Sequence, residues 1–184
     1  KLSQYDLVFL PCEGAENMGW KPTTIRNNLI DYTNLGGRLF TTHYGYVWMY
    51  YAPKEWGGVA NWSPGSWSGT SIGATIDTSF PKGDAFSKWM VNVGASTTPS
   101  KVTLADPRRD LVSVKAGAQR WMRSTVFTTN DFEPHMTFNT PFGASADKQC
   151  GRVVFSDFHV SASALTTAAT FPSSCKTGDL SPQE

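Results

Sequence analysis

The first apolar run of the chain, Tyr5 to Leu10 (YDLVFL), is rich in β-forming residues and stops at Pro11, a pattern that predicts a buried parallel strand. From Thr23 to Leu35, residues Ile25, Leu29, Ile30, Tyr32 and Leu35 fall largely on one helical stripe. Thr23 or Thr24 is the expected cap and Gly36-Gly37 the expected stop. Arg38 to His43 (RLFTTH) then reads as a second strand, so residues 5–43 predict a βαβ unit with parallel pairing.

Between Tyr44 and about Asp77 the pattern breaks up into an aromatic stretch interrupted by Gly and Pro, too aromatic for a linker, which predicts an ordered insertion. Asp84 to Val93 predicts a helix capped by Asp84, with Phe86, Trp89, Met90 and Val93 on one face. Val102 to Val114, Gln119 to Thr128 and Met136 to Asn139 predict shorter strands or hairpin arms, an antiparallel extension of the sheet. Gly151 to His159 (GRVVFSDFH) predicts a further buried strand, apolar through Val153, Val154 and Phe155 and polar toward its end. Ser181-Pro182-Gln183-Glu184 has the pattern of a helix start, and the chain opens almost directly on a strand, so a fragment of a longer polypeptide is expected.

At 184 residues one α/β domain spanning 1–184 is the expected organisation. The net charge is +1 with scattered Lys and Arg, which argues against a nucleic-acid partner, and no apolar run reaches the roughly 18 to 20 residues that cross a bilayer. Charged residues are only 17% of the chain while Gly, Ser, Thr, Asn and Trp are plentiful, a balance that suggests a secreted or cell-surface protein. In that setting Cys150 and Cys175 are positioned for a disulfide that ties down the carboxyl-terminal segment; the alternative is two unpaired thiols.

Ligands of open α/β sheets bind beyond the carboxyl ends of the parallel strands. The expected strand ends carry Glu13, His43 with Tyr44, and Asp157 with His159. Glu13, His43 and His159 could form a carboxylate and two-imidazole centre for a divalent metal such as zinc. Alternatively a histidine acts as general base, oriented by Asp157 or Glu13, with Tyr44 polarising a substrate oxygen. A third reading makes the two histidines and Glu13 structural, satisfying loop carbonyls and a helix start. His135 is expected to be structural, and Cys12 has no partner nearby in sequence.

Trp48, Tyr51, Trp56, Trp62 and Trp67 in the aromatic stretch offer flat faces for stacking on sugar rings, which makes a carbohydrate the natural ligand. Equally, they could fold inward as a small core of the stretch itself.

YDLVFLPCEG, the helix ending in NLGG, RLFTTHYGY and CGRVVFSDFHV together resemble the glutamine-amidotransferase-like superfold, and within it the ThuA-like, trehalose-utilisation branch. That resemblance implies a flavodoxin-like parallel-sheet core and places His43 and His159 at the branch's strand-terminal histidines. Amidotransferases carry a Cys nucleophile at the turn after the central strand, whereas here that turn reads Thr42-His43-Tyr44-Gly45, so amidotransferase activity is not expected. FPKG, NVGAS, FNTP, CGRVVFSD and LSPQE are also similar to a domain of large myxobacterial-type secreted or surface proteins, which implies other domains of a longer chain as partners.

The expectation from sequence is therefore an extracellular or cell-surface domain that binds a carbohydrate-like or other small polar ligand. The alternatives are a hydrolase of a glycan or related polar substrate, metal-dependent or not, and a purely structural module.

Overall fold

The computed structural model describes residues 2–65, 71–125 and 131–159. Strand β1 (Leu7–Leu10), helix α1 (Thr23–Asn34) and strand β2 (Arg38–Thr42) form the expected βαβ unit, with Leu7 to Leu10 paired in parallel to Arg38 to Thr41. A 3-10 turn (His43–Tyr46) leads into the short helix α2 (Val47–Tyr50), and β3 (Ala60–Trp62), β4 (Ile72–Ile76) and α3 (Pro81–Asn92) follow. Then come β5 (Lys101–Leu104), β6 (Leu111–Val114), β7 (Ala118–Ser124), β8 (Phe132–Thr140) and β9 (Gly151–Ser156).

The main sheet is seven-stranded, in the order β1-β2-β9-β8-β7-β4-β5, and β3 pairs with β6 in a separate two-stranded sheet. Only β1, β2 and β9 run parallel to their neighbours; from β9 onward every pairing in the main sheet is antiparallel. The parallel core is thus shorter and the antiparallel part larger than expected. The stretch 44–77 does not stay outside the sheet, because β4 at its end lies between β7 and β5.

Three local expectations are corrected. Pro22, with extended backbone, takes the cap position of α1, so Thr23 is already helical. Helix α3 starts at Pro81 rather than at Asp84, in keeping with the preference of proline for the first helical turn, and Asp84 instead pairs with Lys88 one turn on. Its buried face is Gly83, Ser87 and Met90, while Trp89 and Val93 are exposed; a Cβ on Gly83 would stand 1.9 Å from the Asp77 carbonyl, so close packing selects the small residue. Strand β1 is not buried on both faces: it is the edge strand, and Leu7 and Phe9 remain open to solvent.

The core has two parts. One packs Leu29 and Ile30 of α1 against Leu39, Val153 and Phe155 of the parallel strands, and continues through Tyr46, Trp48, Met49 and Trp56 to Phe138. The other holds Ile72, Ile76, Met90, Leu104 and Met122 between the antiparallel strands and α3. Glu133 on β8 reaches out to accept the Val114 backbone N–H at 2.6 Å and also takes an ion pair from Arg120. The small β3–β6 sheet is therefore tied to the large one by a charge-assisted bond.

Candidate functional site

Because β1, β2 and β9 are neighbours and parallel, the residues that follow each of them meet at one edge of the sheet. After β1 comes Cys12, whose backbone N–H donates to Thr42 Oγ1 at 3.2 Å and so fastens the turn to the end of β2. After β2 comes His43, in the left-handed region at φ 50°. A non-glycine residue held there costs free energy that the surroundings must offset, and such positions concentrate at functional sites. The turn is tight enough that a Cβ on Gly45 would stand 1.9 Å from Thr41 Oγ1. After β9 comes His159.

Cys12 Sγ lies 3.2 Å from His43 Nδ1, and one ligand-capable atom from each of Cys12, His43 and His159 falls within 4.8 Å of the others. The two imidazole rings are nearly stacked, with centroids 4.0 Å apart and 31° between their planes. Rings that share one tetrahedral zinc at about 2.0 to 2.1 Å would have centroids roughly 5 Å apart. The packing fits a thiol held between two imidazoles more closely than it fits a metal centre.

Burial pushes the Cys12 thiol up, but hydrogen bonds from His159, from His43 and from the backbone N–H groups of Gly14 and Tyr44 outweigh it and bring the thiol down to about 5. At neutral pH Cys12 is a thiolate, the reactive form of cysteine. The same hydrogen bond to Cys12, opposed by burial and helped by the charges of Cys12 and Asp106, raises the pKa of His159, a shift that favours an imidazolium beside the thiolate. His43 is buried, and its Nε2 has no hydrogen-bond partner among the described residues.

A cleft of about 620 Å³ opens beside this cluster, lined by Ala15, Glu16, His43, Tyr44, Asp106 and Arg108 among others. Arg108 lies 4.2 Å over the face of Tyr44 and is held by Asp110 through Nε and Nη2. Glu16 accepts a hydrogen bond from the Tyr46 hydroxyl.

The expected site residues divide. His43, His159 and Tyr44 are together at the cluster. Glu13 is not among its ligand atoms: its Oε2 takes Lys21 Nζ at 2.8 Å and Asn17 Nδ2 at 3.3 Å, and Cys12 next to it stands where a metal-binding carboxylate was expected. Asp157 is fully buried and orients no histidine; its Oδ2 accepts the Leu111 N–H at 2.9 Å and its carbonyl accepts the Arg108 N–H at 2.8 Å. Burial first, and the nearby Asp110 second, push the Asp157 carboxyl up to about 8, so it is largely neutral at pH 7.

Of the aromatic residues expected to stack on a sugar, Trp56 is 0% exposed and meets Phe138 edge-on, Trp48 is buried, and Trp62 packs edge-on against Phe155. The aromatic stretch folds inward because its rings complete the core over α1 and the parallel strands. Tyr51 keeps 40% exposure, and burial together with the nearby Glu16 on the cleft wall raises its hydroxyl pKa. Trp67 lies outside the described residues.

Among the described residues Cys150 makes no disulfide, its Sγ being directed at the Asn34 carbonyl at 3.6 Å; Cys175, its expected partner, lies outside the described residues, as does the segment 181–184. Sequence reasoning weighed Cys12 as a nucleophile but set it aside for want of a histidine nearby in sequence, and passed over Glu16, Lys21 and Arg108. For Cys12 the signal was present: it follows its strand as directly as Glu13 does. Among the described residues no helix is long and apolar enough to cross a membrane.

No known family pattern and no curated protein matches the chain in sequence. In three dimensions it is similar to a cytoplasmic protein from Salmonella typhimurium, with a TM-score of 0.50 at 9% identity over 86% of this chain and 62% of that one. It is also similar to a ThuA-like protein from Bacteroides uniformis, with a TM-score of 0.47 at 10% identity over 86% of this chain and 61% of that one. The chain spans about three fifths of the length of each. The Salmonella likeness shows a shared fold. It also points away from the expected secreted or cell-surface location, because this neighbour of the same fold is a cytoplasmic protein.

Proposed function

We propose that the chain is a thiol-dependent hydrolase of a small polar ester or amide, built on an amidotransferase-like fold of the ThuA-like kind. The observation that carries this reading is the Cys12 sulfur flanked by two imidazoles, one of which, His43, lines the adjoining cleft. The fold assignment is supported by the parallel order β1-β2-β9, with His43 directly after β2 and His159 three residues after the end of β9.

The chemistry follows from the protonation states. The Cys12 thiolate attacks the substrate carbonyl carbon, forming a C–S bond and an oxyanion. As the oxyanion collapses, the leaving alcohol or amine takes a proton from the His159 imidazolium, and an acyl-thioester remains on Cys12. His159, now neutral, removes a proton from a water that attacks the thioester; the acid departs and the thiolate–imidazolium pair is restored. The backbone N–H groups of Gly14 and Tyr44 hold the sulfur's negative charge. His43, stacked on His159 and bonded to the sulfur through Nδ1, keeps both in place.

A hydroxyl-rich substrate, the glycan-like class expected from sequence, is supported by Tyr51 and Glu16 at the rim rather than by the tryptophans. The test is acyl-enzyme capture: the protein with activated esters of small hydroxylated acids is expected to gain one acyl group on Cys12, seen by mass spectrometry, and Cys12→Ser to gain none. Turnover that survives Cys12→Ser would sink the proposal.

A further inference from the structure

Lysine is almost never fully buried unless it is paired, yet the Lys21 side chain is 3% exposed. Its three N–H donors all serve one short segment. Nζ reaches Glu13 Oε2 at 2.8 Å, the Glu16 carbonyl at 2.9 Å and the Asn17 carbonyl at 3.5 Å. On its other side the ammonium lies 5.3 Å from the centre of the Trp48 ring, in the helix that follows the His43 turn.

The segment from Glu13 to Asn17 is the part of the chain that this ammonium holds. It belongs to no strand or helix, and it turns through two left-handed residues, Gly14 at φ 76° and Asn17 at φ 48°. The segment is largely exposed, and what orders its turning backbone is the ammonium, which donates to two of its carbonyls and to the Glu13 carboxylate. The segment begins directly after Cys12, and Gly14 sends its N–H to the Cys12 sulfur at 3.3 Å.

We infer that Lys21 is a positioning residue for Cys12: its buried ammonium sets the 13–17 turn so that the Gly14 N–H is aimed at the sulfur. This rests on the reading of Cys12 as nucleophile. Lys21 makes no contact with the sulfur, meets the cleft lining at the Glu16 backbone carbonyl, and acts through the turn. The titratable groups around the thiol itself are His43 and His159, with Asp106 beyond; those around Lys21 are Glu13 and, through its carbonyl, Glu16, whose carboxylate is held by Tyr46.

The test uses the full chain with Cys150→Ser and Cys175→Ser, so that Cys12 is the sole thiol. Its rate of alkylation by iodoacetamide is followed against pH, with thiolate absorbance as a second readout. The midpoint is expected well below 7. Lys21→Met, which keeps the stem over Trp48, is expected to raise that midpoint by about one unit, a roughly tenfold loss of thiolate at a pH below both midpoints. Lys21→Arg, which can still donate to the carbonyls, is expected to restore part of the shift. Glu13→Gln, at a half-exposed position that tolerates change, is expected to shift the midpoint in the same direction by less. A lower melting temperature with an unmoved midpoint in the lysine variants overturns the positioning role and makes Lys21 a stabilising residue only. If Lys21→Met does not fold, an unmoved midpoint in Glu13→Gln overturns it equally. A midpoint near 8.5 in the parent protein instead overturns the thiolate reading, whatever Lys21 does.

Discussion

Cys12 Sγ and His43 Nδ1 are 3.2 Å apart although they follow different strands, and the contact exists because β1 and β2 pair in parallel and in register, with Leu10 opposite Thr41. On the far side of His43, β2 pairs with β9 just as directly, Thr42 opposite Ser156, and brings His159 to the same sulfur. Strand register thus does the work of a local motif.

His159→Gln removes the largest of the interactions that lower the Cys12 thiol. The thiol is expected to rise from about 5 toward its ordinary range, so that between those limits alkylation slows by on the order of tenfold or more while above pH 9 it is nearly unchanged. An unaltered pH profile would remove His159 from the mechanism. His43→Asn, which tolerates the left-handed backbone, is expected to act in the same direction.

Asp157 makes stability depend on pH with an unusual sign. Its folded pKa, raised to about 8 by burial and by Asp110, lies above the unfolded value of about 3.9, so its contribution is fully present below that value and is lost as pH rises to 8. Asp157→Asn keeps an acceptor for the Leu111 N–H and cannot ionise. Urea melts between pH 5 and 8 are expected to show the fall for the parent and a flatter line for the variant; parallel lines would contradict it.

His135 pulls the other way. Burial lowers it to about 4, below the unfolded value of about 6.5, so its stabilising contribution is lost as pH falls through that window. Urea melts of His135→Gln are expected to show less acid sensitivity between pH 6.5 and 4 than those of the parent.

Gly45→Ala places a methyl 1.9 Å from Thr41 Oγ1 in the turn that carries His43. We expect a loss of about 1 to 3 kcal/mol in a denaturant titration, the usual cost of overpacking, together with slower alkylation of Cys12 in the protein that remains folded.

Trp56→Ala empties a fully buried site against Phe138 and is expected to cost about 3 to 5 kcal/mol. A ligand-stacking role would instead show as weaker binding with stability kept, so a thermal melt decides the matter. Tyr51→Ala is the variant expected to keep stability.

The βαβ unit was legible because each of its elements is amphipathic or apolar over its own length, and the strand-end histidines followed from it. Glu13 and Cys12 were equally close to the end of β1, and the choice between them depended on Lys21, whose burial has no local signature. The tryptophans carried no periodicity that separates an inward ring from an outward one; only the packing of Trp56 on Phe138, across a long stretch of chain, settles it. The start of α3 was misjudged because Asp84 has the chemistry of a cap, whereas Pro81 at the first turn together with the tight fit of Gly83 sets the boundary.

The last strand in the described chain, β9, lies in the middle of the main sheet, between β2 and β8. Cys12 is synthesised well before His159, and the sulfur meets that imidazole only once β9 has taken its place between β2 and β8. Until then the thiol keeps the ordinary acidity of an unfolded cysteine and stays mostly protonated. A partly made or unravelled chain is chemically quiet, and the reactive sulfur is switched on by completion of the fold.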